Sequence, residues 1–263
     1  AVSHLPVDAN IGVAPHSLRA VSVDGLKAAV NLIPDAPLHI HVAEQIPEVE
    51  EVLAAWGQRP MSWLLQNFEV DQRWCLIHAT QMLRDETEAL AASGAVAGLC
   101  PITESSLGDG IFDGKHYLNL GGRFGIGSDS NVRISLSEEL RTLEYSQRLR
   151  DHGRAVLATP KASTGRVLFE GAVLGGAQAA GRDSGRIEVG ALADFVALDS
   201  TAIDLLGKSG DDVLDSYIFC GDDSMVSDVW SAGRHLVRKG RHVKNESISA
   251  AYRRTILSLT ERI

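Results

Sequence analysis

Short apolar runs that end in polar residues alternate with stretches of helical periodicity along the first two-thirds of the chain. Five such runs fit buried β-strands: Asn10 to Ala14, Leu38 to Val42, Trp74 to Ile77, Ala95 to Cys100 and Phe124 to Gly127. Strands that are buried on both faces and separated by helices are typical of parallel sheets and barrels. The rhythm therefore predicts an α/β domain over residues 1–180, with a parallel sheet or barrel at its centre.

The helices between these runs carry start and stop signals. A helical pattern through Val52 ends at Gly57, a second through Leu90 ends at Gly94, and Ser135 opens a third with a capping box. Thr164 to Ala180 also reads as a helix, although Gly171, Gly175 and Gly176 lie inside it. Because glycine weakens a helix, this prediction requires a close neighbour at those positions.

The last third of the chain has a different pattern. Gly185 to Gly190 and Ala193 to Leu198 predict a β-hairpin, and Val226 to Val237 with His242-Val243 predicts further strands. We expect a small β-sandwich module over residues 181–247, followed by a C-terminal helix over 248–263.

Composition and charge exclude several classes of partner. The net charge is -9 and no long run of lysine or arginine occurs, which argues against nucleic acid and anionic lipid. No apolar run approaches the ~18 residues of a membrane span. Three widely spaced cysteines form neither a CxxC motif nor a disulfide framework, so we expect a cytoplasmic protein.

Polar residues cluster where three of the predicted strands end. His41 lies near the end of the second run and Glu44 follows that run, His78 follows the third run and Asp129 the fifth. In a barrel the loops after the strands converge on one active site, and histidine with carboxylate is the ligand set of a hydrolytic zinc site. A single histidine of this kind is more often a core residue, and an aspartate after Gly-Ser is commonly a turn or cap. The ordered set favours a functional interpretation.

The runs His-Val-Ala-Glu-Gln, Ile-His-Ala-Thr and Gly-Ser-Asp-Ser resemble strands five, six and eight of the deaminase branch of the amidohydrolase superfamily. The stretch around Asp194 is also similar. The resemblance implies strands four to eight of a (β/α)8 barrel with one divalent metal ion, Zn²⁺. It implies His41 and Asp129 as metal ligands, and Glu44, His78 and Asp129 as catalytic residues.

A narrower resemblance links Ala14 to Val21, together with Glu44-Gln45, to the N-formimino-L-glutamate deiminases. It implies that His16 and Arg19 hold the substrate's carboxylates, since arginine can grip a carboxylate with two parallel hydrogen bonds. A surface ion pair is the alternative role for Arg19. The expected partner is a small carboxylate substrate, and a homodimer is left open.

One feature departs from this family. Its members carry two further metal histidines, as an HxH motif on the first barrel strand. His39-x-His41 is not that motif, because only 88 residues separate His41 from Asp129, too few for seven βα units. We therefore expect strands one to three to be missing from these 263 residues, and we expect the 263 residues alone to be inactive. We expect His39 at most to support the metal ligands and not to bind the ion itself.

The resemblance implies hydrolysis of N-formimino-L-glutamate to N-formyl-L-glutamate and ammonia, a step in histidine breakdown. Two alternatives stay open: a related deaminase acting on a heterocyclic ring, and a non-catalytic fragment that binds a partner. Flat rings call for aromatic or amide contacts, and aromatic residues make up only 5% of the chain. Zinc content would separate the enzyme from the fragment.

Overall fold

A four-stranded parallel sheet organises the first part of the computed structural model, which describes residues 4–261. Its strands lie in chain order: β1 (Leu38–Val42), β2 (Trp74–His78), β3 (Val96–Leu99) and β4 (Arg123–Ile126). Their bounds agree with four of the predicted strands within one or two residues. The α/β class is thereby confirmed, whereas the assignment to strands four to eight of a barrel stays a prediction.

The predicted first strand, Asn10 to Ala14, is wrong as a strand. The segment does run beside β1, but only isolated bridges form, between Val13 and Leu38 and between Ser17 and His41. Pro15 explains the interruption, because it has no N–H to donate to a ladder. The segment still contacts β1, since His41 N–H donates to the His16 carbonyl at 3.0 Å.

Helices connect and flank these strands. They are α1 (Val23–Leu32), α2 (Ile46–Trp56), α3 (Pro60–Asn67), α4 (Arg84–Ser93), α5 (Pro101–Leu107), α6 (Gly114–Asn119), α7 (Leu136–Asp151) and α8 (Thr164–Ala179). The predicted stops are confirmed, since Gly57 and Gly94 cap α2 and α4 in left-handed conformation. The predicted start of α7 is also confirmed, because the Ser135 hydroxyl accepts a hydrogen bond from Glu138 N–H.

The two faces of the parallel sheet differ in character. One face joins the large core beneath the helices through Leu38, Ile40, Val42, Leu76, Ala97, Leu99 and Phe124. The opposite face carries His39 and His41, in register with Cys75 and Ile77 of β2. A second, small cluster of Cys75, Val96 and Ala179 covers part of that face. The polar residues of β1 therefore lie away from the main core.

Two of the glycines within α8 let this helix approach β4 very closely. A Cβ atom on Gly175 would lie 1.9 Å from the carbonyl oxygen of Phe124, and one on Gly171 would lie 2.3 Å from the Phe124 ring. Gly176 faces open space, with no atom within 4 Å of such a Cβ. The close neighbour that the predicted helix required is therefore β4.

We expect opposite effects from alanine at the two adjacent glycines of α8. Gly175→Ala should destabilise the fold by at least about 1–3 kcal/mol, because the new methyl group meets the backbone of Phe124. Gly176→Ala should stabilise it by roughly 0.5–1 kcal/mol, since alanine is a better helix former and meets nothing. Urea unfolding of the two variants measures the difference. Equal changes in the free energy of unfolding would contradict the close packing.

The second sheet is antiparallel and also has four strands in chain order. They are β5 (Phe195–Leu198), β6 (Val226–Ser231), β7 (Arg234–Arg238) and β8 (Arg241–His242). The predicted strands in 193–198 and 226–237 are confirmed. A β-sandwich, with a second layer, stays a prediction.

The predicted hairpin arm from Gly185 to Gly190 is wrong, and β5 pairs with β6 instead. Both glycines have positive φ, 87° and 99°, which turns the chain rather than extending it. Arg186 forms ion pairs with Glu188 inside this segment and with Asp183 just before it. These local contacts hold it as a loop.

Two helices accompany the second sheet: α9 (Asp211–Phe219) and α10 (Asn245–Thr260). The sequence pattern did not predict α9, which packs on α7 and α8 and receives Arg141 Nε–H at the Ile218 carbonyl (2.6 Å). The predicted terminal helix is observed as α10, which begins three residues before Ile248; residues 262 and 263 of the prediction lie outside the described part of the chain. No helix between residues 4 and 261 has the length and apolar character for a bilayer crossing.

The three cysteines are all free thiols. Cys75 and Cys100 are buried, whereas Cys220 is exposed at the end of α9. Burial raises the pKa of the Cys75 thiol to about 12 and raises that of Cys100 as well. The two buried thiols are therefore held in the uncharged form.

Candidate active site

Four of the predicted site residues lie at the carboxyl edge of the parallel sheet. His41 is on β1, His78 ends β2, and Glu44 and Asp129 follow β1 and β4 by two and three residues. The rings of His41 and His78 stack with their centroids 5.5 Å apart. Glu44 Oε1 lies 3.7 Å from His78 Nε2, and the charge of Asp129 acts on His78. The structure thus brings His41, Glu44 and His78 together and places Asp129 at the same edge of the sheet.

Left-handed backbone conformations turn the chain at this edge. The φ angles of Ala43, His78 and Asp129 are 52°, 70° and 51°, although none of these residues is glycine. Such conformations are uncommon outside glycine and cluster at functional sites. The turn at His78 matters in particular. A regular strand would place the His78 side chain on the same face as its register partner Val42, which lies in the core.

His41 has one ring nitrogen committed and one available. Its Nδ1 lies 2.8 Å from the carbonyl oxygen of His16. Because a carbonyl can only accept, Nδ1 carries the hydrogen, and Nε2 is the nitrogen that has a lone pair in the neutral ring. A backbone carbonyl on the second nitrogen is the usual arrangement around a metal-binding histidine.

His78 lies between two carboxylates and is only 1% exposed. Its Nε2 faces Glu44, and its Nδ1 lies 3.3 Å from Oε1 of Glu104 on α5. Burial opposes the charged ring, but the hydrogen bond with Glu104 and the charges of Glu44, Glu104 and Asp129 outweigh it. The pKa of His78 is therefore raised above its ordinary value of 6.5.

Glu44 has a raised pKa, chiefly because the carboxylate is partly buried, with Asp109 and Glu48 adding negative charge nearby. The charge of His78 acts in the opposite direction. Its backbone is fixed by Glu48, whose carboxylate accepts the N–H groups of Ala43 and Glu44 at 3.0 and 2.7 Å. A carboxylate with a raised pKa is suited to carrying a proton.

Sequence reasoning missed two buried acids beside this edge, Glu104 and Glu139. Glu139 of α7 accepts Ile102 N–H at 2.8 Å through Oε2, whereas no donor in the described part of the chain reaches its buried Oε1. Burial raises the pKa of Glu139 to about 7. Glu104 follows the end of β3 by five residues, so the strand-end rule that found Glu44 could have flagged it.

We expect Glu139→Gln to change how stability depends on pH. Glu139 has an ordinary pKa of 4.5 and a folded pKa of about 7, so the folded protein binds this proton more tightly. Its contribution is present below pH 4.5 and is lost as pH rises toward 7. Relative to the variant, the wild type should lose free energy of unfolding between about pH 5 and about pH 8. The measurement is the free energy of unfolding in urea at a series of pH values. The same pH dependence in the two proteins would contradict this prediction.

The other predicted residues differ in how near they lie to the group formed by His41, Glu44, His78 and Asp129. Arg19 forms an ion pair with Glu51 of α2 at 3.3 Å, and both side chains are exposed. His16 is exposed too, with Nδ1 2.9 Å from the Ser17 hydroxyl and its ring centroid 5.1 Å from that of His41. His39 bonds through Nε2 to the Ala179 carbonyl at 2.8 Å, at the end of α8. It therefore contacts α8, and not the edge where Glu44 and His78 lie.

The donors at the sheet edge fit a zinc ion in kind. A neutral imidazole with its Nδ1 bound to a carbonyl and an aspartate carboxylate are typical zinc ligands, and His41 and Asp129 supply them. Within residues 4–261, no three histidine, cysteine, aspartate or glutamate side chains come close enough to bind one ion. A catalytic zinc usually has three protein ligands, of which His41 and Asp129 would give two.

A model of the amidohydrolase family matches residues 7–236 of the chain. The chain belongs to the amidohydrolase family. Among relatives, it is 47% identical to the formimidoylglutamate deiminase of Pseudomonas aeruginosa over 245 residues, which cover 92% of this chain and 54% of that protein. The family resemblance of the strand-end motifs is thereby confirmed.

Solved structures give the same result for the fold. An amidohydrolase from Brucella melitensis matches this amidohydrolase chain with a TM-score of 0.89 at 52% identity, covering 95% of this chain and 55% of that one. An adenosine deaminase from Xanthomonas campestris with bound zinc matches with a TM-score of 0.85 at 25% identity, covering 96% and 57%. The chain thus spans about half the length of the relatives it matches.

Proposed function

We propose that the protein hydrolyses N-formimino-L-glutamate to N-formyl-L-glutamate and ammonia, with one zinc ion, in the cytoplasm. The observation that carries the proposal is the placement of Glu44 Oε1 3.7 Å from His78 Nε2, beside the available Nε2 of His41. The 47% identity to a formimidoylglutamate deiminase supports the choice of a linear amidine over other C–N bonds. Three free cysteines suit a reducing compartment.

His41 and Asp129 would hold the zinc, which when bound lowers the pKa of a water molecule toward ~7. Asp129 accepts the proton that the attacking water loses. Glu44, with its raised pKa, carries a proton to the departing nitrogen as general acid and base. In its charged form, which the raised pKa of the ring favours, His78 donates a hydrogen bond from Nε2 to the reacting group as its carbon becomes tetrahedral, while Nδ1–H stays on Glu104. The bond between the formimino carbon and the departing nitrogen breaks, and that carbon becomes the carbonyl carbon of the N-formyl group.

A deaminase acting on a heterocyclic ring is the rival function. The zinc-containing adenosine deaminase shows that this fold is compatible with such a substrate. Within the described residues, however, the rings next to His41 are those of His16 and His78, and the aromatic groups of Trp56, Trp63 and Phe68 pack together elsewhere. Few aromatic contacts at the edge favour a flexible, anionic substrate over a flat ring.

An ammonia-release assay on the natural protein that contains this chain tests the proposal. We expect turnover of N-formimino-L-glutamate, loss of turnover after chelation, and recovery with added zinc. Release of ammonia from adenosine but not from N-formimino-L-glutamate would establish the rival. Purified protein without metal and without turnover of either compound would support a non-catalytic binding role.

We expect Arg19→Met to lower kcat/KM for N-formimino-L-glutamate by well over tenfold. A charged hydrogen bond to a substrate carboxylate is worth about 1.5–3 kcal/mol, and methionine removes it. Glu51→Gln is the matched control, because it breaks the ion pair of Arg19 and leaves the guanidinium available. Equal losses in both variants, or no loss in Arg19→Met, would show that Arg19 serves only the ion pair.

A further inference from the structure

The carboxylate of Glu104 contacts Nδ1 of His78, whereas the carboxylate of Glu44 faces Nε2. Glu104 Oε1 lies 3.3 Å from Nδ1, whereas Glu44 Oε1 lies 3.7 Å from Nε2. Glu104 is 5% exposed and His78 is 1% exposed, so water does not compete strongly for this contact. The two nitrogens of His78 therefore face carboxylates of different exposure.

Glu104 is itself held in one position by the backbone at the end of β3. Its Oε1 accepts a hydrogen bond from Cys100 N–H at 2.9 Å, and its own N–H donates to the Cys100 carbonyl at 2.9 Å. Residue 100 is thus bound to Glu104 at both its amide and its carbonyl. A carboxylate fixed in this way defines a direction for any donor that reaches it.

The fixed orientation of the Glu104 carboxylate determines which ring nitrogen of His78 carries the hydrogen. Because a carboxylate accepts, the Nδ1 facing Glu104 carries the hydrogen, and Nε2 is directed toward Glu44. The left-handed backbone at His78, with φ of 70°, also needs surrounding contacts to maintain it. A buried hydrogen bond to Glu104 supplies one such contact.

We propose that Glu104 is a positioning residue, which fixes the rotamer and the Nδ1–H tautomer of His78 so that Nε2 meets the reacting group. The reaction that His78 serves rests on the proposed function, but the contact itself does not. The proton on Nδ1 stays between Glu104 and the ring. The same logic applies to metal-site and catalytic histidines in general, whose second nitrogen is oriented by a carboxylate or carbonyl.

Two substitutions in the natural protein test the role. In Glu104→Ala we expect kcat for N-formimino-L-glutamate to fall about 10–100-fold, with KM nearly unchanged, because substrate contacts remain. Glu104→Gln keeps an oxygen acceptor for Cys100 N–H and His78 Nδ1–H, so we expect partial rescue. In ¹⁵N-histidine spectra, at a pH where the ring is neutral, His78 should be protonated at Nδ1 in wild type and should mix tautomers in Glu104→Ala.

Glu144→Gln provides the matched control. Glu144 is also a fully buried glutamate that accepts backbone N–H groups, from Val156 and Leu157 at 2.8 and 3.0 Å. Its loss should lower stability in a comparable way without changing kcat or the His78 signals. If Glu144→Gln lowers kcat as much as Glu104→Ala does, the role of Glu104 is structural.

Unchanged His78 tautomer signals in Glu104→Ala would overturn the inference, even if activity fell. The spectra require no substrate, so they decide the inference even if wild type releases no ammonia from N-formimino-L-glutamate. In that case the proposed function fails while the positioning role stands or falls on the tautomer alone. If Glu104→Ala does not fold, the tautomer in Glu104→Gln and its kcat relative to Glu144→Gln give the answer.

Discussion

Asp129→Asn is expected to lower kcat/KM for N-formimino-L-glutamate by about 10²–10⁴-fold and to lower the zinc content of the purified protein. Asparagine keeps the shape of the side chain but removes the charge that would bind zinc and accept a proton. It also tolerates the left-handed backbone at this position, where φ is 51°, so the substitution adds little strain.

Asp113→Asn is the control for this substitution. Asp113 pairs with Arg150 at 3.0 Å and does not belong to the group of site residues at the carboxyl edge of the sheet. It should leave both zinc content and kcat unchanged. Full zinc occupancy together with full activity in Asp129→Asn would remove Asp129 from the ligand set and from the proton transfer.

Glu44→Gln is expected to reduce kcat by about 10²–10⁴-fold while zinc content stays at the wild-type level. The amide preserves the size of the side chain but cannot carry a proton to the departing nitrogen. The retained metal separates this effect from that of Asp129→Asn. Glu50→Gln, on the exposed surface of the neighbouring α2, should behave as wild type. Turnover by Glu44→Gln near the wild-type rate would assign the proton transfer to another group.

Local rules predicted the parts of the fold where one residue decides the structure. Gly57 and Gly94 end helices because they adopt positive φ, and Ser135 begins one because its hydroxyl caps the backbone. The strand ends at His41 and His78 followed from apolar runs that stop at a polar residue. These signals lie within a few positions of the feature that they determine.

Features that depend on distant neighbours were missed. Alternation along a strand puts His39 and His41 on one face, but only the packing of α8 reveals that His39 meets the Ala179 carbonyl. Glu104 belongs to the site because a helix after β3 brings it to His78, 26 residues away along the chain. The 185–190 segment has strand-like composition, yet Arg186 bonds to acids on either side of it. A local pattern can point to Glu104 as an acid after a strand, but it does not reveal any of these pairings.

The unequal burial of the three thiols makes the protein suitable for single-site labelling. Cys75 and Cys100 are buried and kept protonated, whereas Cys220 is exposed, so a maleimide reagent should modify Cys220 selectively without removal of the other cysteines. A fluorophore placed there sits one residue from Gly221, whose carbonyl receives the Arg141 guanidinium from α7. Its emission would report on the packing contact between α7 and α9 during unfolding, independently of catalysis.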